Sequence, residues 1–505
     1  MIAAVAACVP PNDSAEARTR RVIDRCAGCG HCRELMDDSS CRFMPELYRL
    51  VDREAADGEP ISSLAMKRLL ALCTNCGICP CAPVHTWINE ARDGFVARDG
   101  LPAALRLIEN VRLVGRVGGA MPRLANLLVG DGALARGVKR VIGIHPARRL
   151  PRFPRDGFSA WARQRGLFRA PQTSGRKVAY FAGCSARYYF PEVAKATVEV
   201  LQKNGVAVYL PEQKCCGMPT LLEGDRAFTF DLARFNVAEL ARCVAAGFDI
   251  VCSCPSCGHL LKTVLRDGAQ YSPDYRALVE AMADQAHGDM AEVSARLARD
   301  DAAFTGRANG RSAHGRQPWL LGMVSWKVFS DQGYFASIDG LPRLRVANHC
   351  YDLGEYLAEL DDAGELCAEL GPVSGKMAYF APCHQRQQGI GQPWMGLLGR
   401  VPQIDLRQVG DDFDCCGQGG IMGFKKAFHE TSQSIGARLA DQLAAAAPER
   451  LLSDCLSCRV QFEQMLPFEV FHPVEILRES YRNYRHDRLP QSLASVAPGP
   501  AVAAA

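Results

Sequence analysis

The sequence predicts an α+β protein of several domains, in which a small helical domain precedes two copies of one α/β module. Three observations lead to this fold class. Two cysteine triplets lie near the N-terminal end, a five-cysteine pattern occurs twice further along, and strand-like apolar runs alternate with helical patterns around each copy. The chain has 505 residues. This length allows roughly two to four domains.

The duplication is visible in three matched segments. The apolar run that ends at Cys184 returns at Cys383, the Cys215-Cys216-Gly217 triplet returns as Cys415-Cys416-Gly417, and the pair Cys254/Cys257 returns as Cys455/Cys458. The offsets are 199, 200 and 201 residues, so the register of the repeat barely drifts. The sequence therefore uses one module twice.

Each copy is predicted to alternate strands with helices, which indicates an α/β module. In the first copy a buried strand ends near Cys184, a helix follows over Pro191–Asn204, and Val206–Leu210 forms the next strand. Phe248–Val251 and Arg450–Ser453 are strand-like runs that lead into the last cysteine pair of each copy. The cysteines are thus expected at strand ends and in loops, where side chains from distant parts of the chain can converge.

Two N-terminal triplets with C-x-x-C-x-x-C spacing predict iron–sulfur clusters, because one tight loop can place three thiolates around one face of a cubane. In the bacterial ferredoxin pattern, the fourth cysteine of each run completes the other cluster. Ile61–Leu72 has helical periodicity and is expected to carry the chain between the clusters. The crossed assignment gives one 4Fe-4S cluster Cys26, Cys29, Cys32 and Cys81, and the other Cys41, Cys73, Cys76 and Cys79.

The fourth ligands leave alternatives open. Eight residues separate Cys32 from Cys41 and one separates Cys79 from Cys81, whereas the ferredoxin run has three. Cys8 is an alternative fourth ligand, although the stretch after it has the composition of a loose terminus. Structural zinc is an alternative occupant of the triplets. Zinc modules usually offer two cysteine pairs, so two triplets would leave surplus thiolates.

Each duplicated module supplies five thiols to a second kind of site. Five thiols exceed the four ligands of tetrahedral zinc, and adjacent cysteines reach separate irons of a cluster more easily than one small ion. The glycine that follows each pair lets backbone N–H groups approach sulfur closely. The candidate ligands are Cys184, Cys215, Cys216, Cys254 and Cys257 in the first copy, and Cys383, Cys415, Cys416, Cys455 and Cys458 in the second.

Several other cysteines and histidines are expected to be structural. Cys252 aligns with Ser453 of the other copy, so it is replaceable and is not expected to be a ligand. His384 and His349, each beside a cysteine, are candidate donors to a cluster sulfur, and a structural role is the preferred interpretation. Free cysteine commonly packs as a small buried hydrophobe. We apply this to the cysteines that have no counterpart at the repeat offset: Cys243, Cys350 and Cys367.

These motifs resemble the CCG-domain family, which includes the B subunit of heterodisulfide reductase, glycolate oxidase iron–sulfur subunits and the C subunit of anaerobic glycerol-3-phosphate dehydrogenase. The resemblance is nearest to the last two. It implies a ferredoxin-like N-terminal domain. The resemblance rests on two cysteine triplets followed by two CCG modules. It also rests on the segments Pro382-Cys383-His384, Gly423-Phe424-Lys425-Lys426, Thr431–Arg438 and Ser453–Cys458.

The resemblance implies an iron–sulfur subunit that accepts electrons from a flavin-dependent dehydrogenase, of glycerol-3-phosphate or 2-hydroxy acid type, and passes them toward a quinone or another acceptor. The implied cofactors are two ferredoxin-type 4Fe-4S clusters and up to two CCG-type clusters, with noncubane geometry as an option. The main alternative is a catalytic subunit that reduces a disulfide at a CCG cluster. Because no G-x-G-x-x-G follows a predicted strand, the flavin is expected on a partner chain.

Charge and hydropathy narrow the classes of partner. The formal net charge is only +4, which does not indicate nucleic acid as a partner. Leu101–Phe153, however, carries ten Lys or Arg against two acidic residues, with amphipathic runs such as Ala104–Val117. One interpretation is that these helices turn an apolar face to the protein's own core. The other is a basic amphipathic surface that lies on anionic lipid or docks a partner.

The N-terminus has no secretory signal pattern, and the cysteine spacing suits metals better than disulfides, so a cytoplasmic protein is expected. The inner face of the cell membrane is a candidate site of peripheral attachment. The predicted organisation is a ferredoxin-type domain at 15–95, a basic linker at 96–175, the first CCG module at 176–262, a connector at 263–345, the second CCG module at 346–485 and a disordered tail at 486–505.

Overall fold

The computed structural model describes residues 13–79, 81, 83–285 and 333–484. Cys8, much of the predicted connector and the predicted disordered tail lie outside the described residues. No helix in the described ranges is long and apolar enough to cross a membrane.

The N-terminal domain is helical around a small apolar core that includes Leu47 and Ile88. Ser62 accepts a hydrogen bond from the backbone N–H of Ala65 at 3.3 Å, which caps the helix predicted over Ile61–Leu72. The helices are Ala15–Cys29, Cys32–Leu35, Phe43–Asp57, Ser63–Ala71 and Pro83–Asp99.

The basic segment forms a series of short helices, and several large apolar side chains between residues 107 and 141 are exposed. In helix Val111–Ala120 the buried residues are Gly115 and Gly118, while Leu113 and Val117 are exposed. The expected packing of apolar side chains on the protein's own core is therefore not what this helix shows. The helices are Ala103–Glu109, Val111–Ala120, Pro122–Val129, Ala133–Val141 and Phe158–Gln164.

The first module contains a four-stranded parallel sheet in the order β2-β1-β3-β4. Its strands are β1 Lys177–Phe181, β2 Ala207–Tyr209, β3 Asp249–Cys252 and β4 Cys350–Asp352. The fourth strand lies beyond residue 346, where the second module was predicted to begin. The helices are Gly183–Tyr188, Pro191–Lys203, Met218–Glu223, Arg226–Ala245, Pro255–His259, Pro273–Gln285 and Gly340–Asn348, with a π turn at Leu260–Val264 and a 3-10 turn at Ala269–Tyr271.

The second module repeats this topology, with a parallel sheet in the order β6-β5-β7-β8. Its strands are β5 Gly375–Tyr379, β6 Ile404–Gln408, β7 Arg450–Leu452 and β8 Val470–Phe471. The strand order confirms the duplication inferred from the cysteine offsets. The helices are Leu353–Asp362, Cys383–Arg386, Pro393–Gly399, His429–Ala446, Leu456–Met465 and Pro473–Asn483, with 3-10 turns at Met422–Phe424 and Lys426–Phe428.

The two modules share one apolar core. Leu201 of the first module and Trp394 and Val474 of the second are fully buried in the same cluster. At its edge, Arg482 and Glu199 form an ion pair at 2.7 Å across the two modules. Joint burial of this apolar surface stabilises the pairing of the modules more than exposed ion pairs do.

The parallel sheets position the cysteines. In a parallel sheet the carboxyl ends of all strands meet at one edge, where loops from distant sequence come together. Cys184 follows β1, Cys215 follows β2, and Cys254 follows β3. The same holds for the second sheet. Each sheet therefore gathers its five thiols at one edge.

Candidate iron–sulfur sites

Four cysteines meet at the far N-terminal side. Helix Ala15–Cys29 ends at Gly30, whose φ of 67° allows the tight turn into the next short helix. The pKa of the Cys26 thiol is raised to about 12 by burial first and then by the nearby thiols of Cys32, Cys81 and Cys29. Cys29 and Cys81 are exposed. We call Cys26, Cys29, Cys32 and Cys81 the N1 group.

Cys41 lies with the second triplet. Burial, and then the thiols of Cys76 and Cys73, raise the pKa of Cys41 to about 12. Burial, and then Cys73, Cys41 and Cys76, also raise the pKa of Cys79. Buried Arg92 donates to the carbonyl oxygen of Cys73 and holds the loop against helix Pro83–Asp99. We call Cys41, Cys73, Cys76 and Cys79 the N2 group.

The five predicted thiols of the first module converge. The Sγ atoms of Cys184 and Cys215 are 3.6 Å apart. Hydrogen bonds with Cys215 and Cys257 lower the pKa of the Cys216 thiol to about 6. The pKa of Cys254 is lowered by a hydrogen bond with Cys257 but raised more strongly by a hydrogen bond with Cys455 and burial together, so the net shift is upward. These five cysteines are the first CCG group.

The second module repeats the arrangement position by position. Hydrogen bonds with Cys415 and Cys458 lower the pKa of the Cys416 thiol to about 5. A hydrogen bond with Cys415 raises the pKa of Cys383, as the corresponding contact with Cys215 does for Cys184. In both copies, hydrogen bonds from neighbouring thiols lower the pKa of the second cysteine of the adjacent pair. Cys383, Cys415, Cys416, Cys455 and Cys458 are the second CCG group.

The glycine of the second CCG motif is required by the backbone. Gly417 has a φ of 84°, and a Cβ there would lie 2.1 Å from the carbonyl oxygen of Ser432. On the facing helix His429–Ala446, a Cβ at Gly436 would lie 2.4 Å from the carbonyl oxygen of Cys416. The loop and the helix therefore approach so closely that neither position can accept a side chain without displacement.

His384, in the second module, connects that module to the N2 loop and to the first module. Its Nε2 lies 3.2 Å from the carbonyl oxygen of Asn75 in the N2 loop, and its Nδ1 lies 2.8 Å from Oγ of Ser256 in the first module. A carbonyl only accepts, so Nε2 carries the proton and Nδ1 accepts from the serine. Burial lowers the pKa of His384, which favours this neutral form. The ring is satisfied by these partners, as the structural interpretation expected.

The N2 group contacts the second CCG group directly. A thiol hydrogen bond with Cys415 is the largest cause of the raised pKa of Cys76. The hydroxyl of Thr74 lies 3.9 Å from the Sγ atom of Cys415, and the backbone N–H of Cys415 donates to Oγ of Ser40 at 3.1 Å. The N-terminal domain thus covers this side of the second CCG group.

The two CCG groups also contact each other. A hydrogen bond between the thiols of Cys254 and Cys455 is the largest cause of the lowered pKa of Cys455. The hydroxyl of Ser256 lies 3.7 Å from the Sγ atom of Cys455. At the other end, Cys32 of the N1 group is near enough to raise the pKa of Cys79. The spatial order is therefore N1, N2, second CCG, first CCG, which differs from the order in the sequence.

The donor chemistry of the four groups fits iron–sulfur clusters. All of the described cysteines are free thiols. The groups consist of cysteines alone, and soft thiolate ligands suit iron–sulfur clusters. Among the described residues, no three His, Cys, Asp or Glu side chains are arranged to hold a single metal ion. The thiolate donor type and the proximity of the cysteines within each group therefore support cluster sites.

Three of the four remaining described cysteines are buried, whereas Cys367, also predicted to pack in the core, is not. Cys252 on β3 and Cys350 on β4 are fully buried, with their Sγ atoms 3.8 Å apart. Cys243 packs with Ala179 and Phe248. Cys367 is half-buried in the described structure. Nδ1 of His349 lies 3.4 Å from the carboxylate of Asp249, a structural contact like that expected.

Comparison with known families agrees with this geometry. The model of the cysteine-rich domain named CCG matches residues 178–262 and 377–463. Two stretches of the chain therefore match the cysteine-rich CCG domain, which confirms the resemblance seen in the sequence.

The chain is also similar to two oxidoreductase subunits and to a lactate utilization protein. It is 23% identical over 376 residues to the C subunit of anaerobic glycerol-3-phosphate dehydrogenase from Escherichia coli (strain K12), covering 74% of this chain and 76% of the relative. It is 23% identical over 310 residues to the B subunit of fumarate reductase (CoM/CoB) from Methanothermobacter marburgensis, covering 61% and 45%. It is 24% identical over 314 residues to lactate utilization protein A of an Exiguobacterium species, covering 60% and 98%.

Sequence reasoning missed the residues that join the groups. Ser40, Thr74 and Ser256 carry no motif, so nothing in the sequence marked their contacts with cysteines of the second CCG group. The sequence does show that the residue before the cysteine pair differs in charge between the copies. Lys214 precedes the first pair, and Asp414 precedes the second.

Proposed function

We propose that this chain is an iron–sulfur electron-transfer subunit, which relays electrons from a partner flavin-dependent dehydrogenase toward a quinone or another acceptor. The observation that carries the proposal is the unbroken row of four thiol groups. A relay needs carriers in close succession, because electron transfer slows steeply with distance. The relatives include a subunit of glycerol-3-phosphate dehydrogenase and a lactate utilization protein. They support a glycerol-3-phosphate or 2-hydroxy acid dehydrogenase as the partner.

The N1 and N2 groups would each hold one ferredoxin-type 4Fe-4S cluster. Each CCG group would hold one further 4Fe-4S cluster, and its fifth thiol makes noncubane geometry the option we propose there. When bound, such a cluster supplies one-electron oxidation and reduction. This total of four clusters corresponds to about sixteen irons per chain.

The protein's own residues control access to the two ends of the row. Most thiols of the CCG groups are buried, such as Cys216 and Cys416, at 3% and 4% exposed. Exclusion of water limits side reactions and tunes the reduction potential. Cys29 and Cys81 of the N1 group are exposed, so a partner protein can reach that end of the row. We assign the N1 end to the protein partner.

The basic segment would attach the protein to an anionic membrane surface on the inner face of the cell membrane. Of its two acidic residues, Glu109 is buried, and the exposed Asp131 lies 3.7 Å from Nζ of Lys139. Arginines and exposed apolar side chains suit a lipid surface, which accepts both. The exposed apolar side chains are Leu107, Leu113, Val117, Met121, Leu124, Leu127, Leu134 and Val141.

Purified without oxygen, the chain is expected to carry about sixteen irons. Gly417→Ala should lower this to about twelve, because the new Cβ collides with the Ser432 carbonyl and displaces the second CCG loop. Gly396→Ala is the matched control, since an added Cβ there meets no atom within 4 Å. Cys252→Ser should also leave the iron content unchanged. Eight irons or fewer in the unmodified chain would contradict the four-cluster proposal.

Chemically reduced protein, without any flavoprotein, is expected to show negligible turnover of organic disulfides. A relay needs no site at which a disulfide reacts, whereas a reductase must present one. Release of free thiol over time measures the difference. Robust cleavage that disappears in Cys415→Ser or Cys455→Ser would replace the relay proposal with the heterodisulfide reductase-like alternative.

Attachment to vesicles that contain anionic phospholipid is expected to weaken as salt rises, because the attraction is screened. Reversing three exposed arginines of the basic segment, Arg106, Arg116 and Arg123, to glutamate should weaken binding at low salt by roughly tenfold or more. Co-sedimentation with the vesicles measures the bound fraction of each variant. The matched control reverses three exposed arginines elsewhere, Arg53, Arg68 and Arg169. Equal binding by both triple variants would refute the membrane surface.

A further inference from the structure

The first CCG group opens to solvent through a cleft. The cleft is shallow and open, and Cys184 and Cys215 form part of its wall. Three cationic side chains, Arg112, Arg187 and Lys214, line the cleft beside these two cysteines, together with Gly183, Tyr188 and Gln213. All three are half-buried. Positive charge therefore lies close to the thiols at this end of the row.

The cations of the cleft have no carboxylate partner among the described residues. Arg187 donates to Oγ of Ser159 at 3.0 Å, and Lys214 lies over the ring of Phe235 at 4.6 Å, but neither forms an ion pair. Burial, and like charge from neighbouring arginines including Arg112, lower the pKa of Arg187. Half-buried cations are costly without a counter-charge, which the thiolates of the proposed cluster would supply on the inner side and a bound anion on the solvent side.

Close packing of the basic segment brings Arg112 to the cleft. Helix Val111–Ala120 lies against helix Gly183–Tyr188, and a Cβ at Gly115 would lie 2.4 Å from the ring of Tyr188. Only glycine permits this approach. Arg112, one turn before Gly115, is thereby fixed beside the cysteines of the other helix.

The second copy uses the equivalent positions differently. Asp414 stands where the first copy has Lys214. Arg386 stands where the first copy has Arg187, but it donates to the carbonyl oxygens of Ala381 and Asp414 and lies 3.6 Å from the Asp412 carboxylate. The second copy thus keeps one of these two cations, but pairs it within its own loop. The unpaired cationic cleft is therefore specific to the first copy.

The two copies also differ in what covers their first CCG cysteine. Cys415 of the second copy is covered by Thr74 and Cys76 of the N2 loop. Cys215, its counterpart, instead faces the open cleft. The position that receives a neighbouring redox group in the second copy is accessible to an external molecule in the first.

We propose that this cleft binds a small molecule that carries a carboxylate or phosphate group, beside Cys184 and Cys215 at the terminal end of the row. The inference rests on the proposed relay, because it names the kind of molecule that meets the row where the chain itself provides no further thiol group. Arg187 and Lys214 hold the anion through charge-assisted hydrogen bonds, and Arg112 adds positive charge at the mouth.

The test is calorimetric titration of the anaerobically purified chain at low ionic strength, with inorganic phosphate and with malonate as separate probes. At least one probe should bind at a single site. Arg187→Gln and Lys214→Gln should each weaken that binding by roughly tenfold or more. Lys214→Asp, which copies the second module, should abolish it. Arg169→Gln removes one exposed positive charge outside the cleft and should leave binding unchanged.

Iron content is measured on every variant, so failure of the clusters is distinguished from failure of the cleft. A chain with full iron that binds neither probe would overturn the inference and leave the relay standing. Equal binding by the unmodified chain, Arg187→Gln and Lys214→Gln would also overturn it, since the anion would then lie elsewhere. Binding of phosphate alone, or of malonate alone, identifies which anionic group the cleft accepts.

Discussion

The contact between the N2 loop and the second CCG loop is the interaction on which the rest of the structure depends. Cys76 and Cys415 meet there, and His384 fixes the junction by bonding Asn75 on one side and Ser256 on the other. One neutral imidazole thus ties the N-terminal domain to both modules. Without this junction the protein would hold two separate pairs of thiol groups, and the row from N1 to the first CCG group would be broken.

Duplication followed by divergence explains how one module serves two positions in the row. Both copies keep the same strand order, and in both the second cysteine of the adjacent pair accepts from its neighbours. They differ in the residue before the pair and in what covers it. Lys214 faces an open cleft, whereas Asp414 lies in a loop covered by the N-terminal domain. The first copy is thereby suited to the end of the row and the second to its middle.

Much of this could be predicted from local sequence pattern. The strand ends at Cys184 and Cys254, the helix that begins at Pro191 and the fivefold thiol sets all depend on spacing that the duplication makes visible. The order of the groups could not be predicted, because it arises from packing between surfaces far apart in sequence. The sequence left two interpretations of helix Val111–Ala120 open, because its pattern does not show that Gly115 and Gly118, not its larger side chains, make the close approach.

The central claim is that the groups lie in the order N1, N2, second CCG, first CCG. Electron paramagnetic resonance of the fully reduced chain tests it directly, because neighbouring paramagnetic clusters broaden and split each other's lines. The variant Cys416→Ser removes a ligand from the second CCG group. We expect altered lines for both the N2 and first CCG clusters and unchanged lines for the N1 cluster. Unaltered N2 lines together with altered N1 lines would contradict the order and the relay built on it.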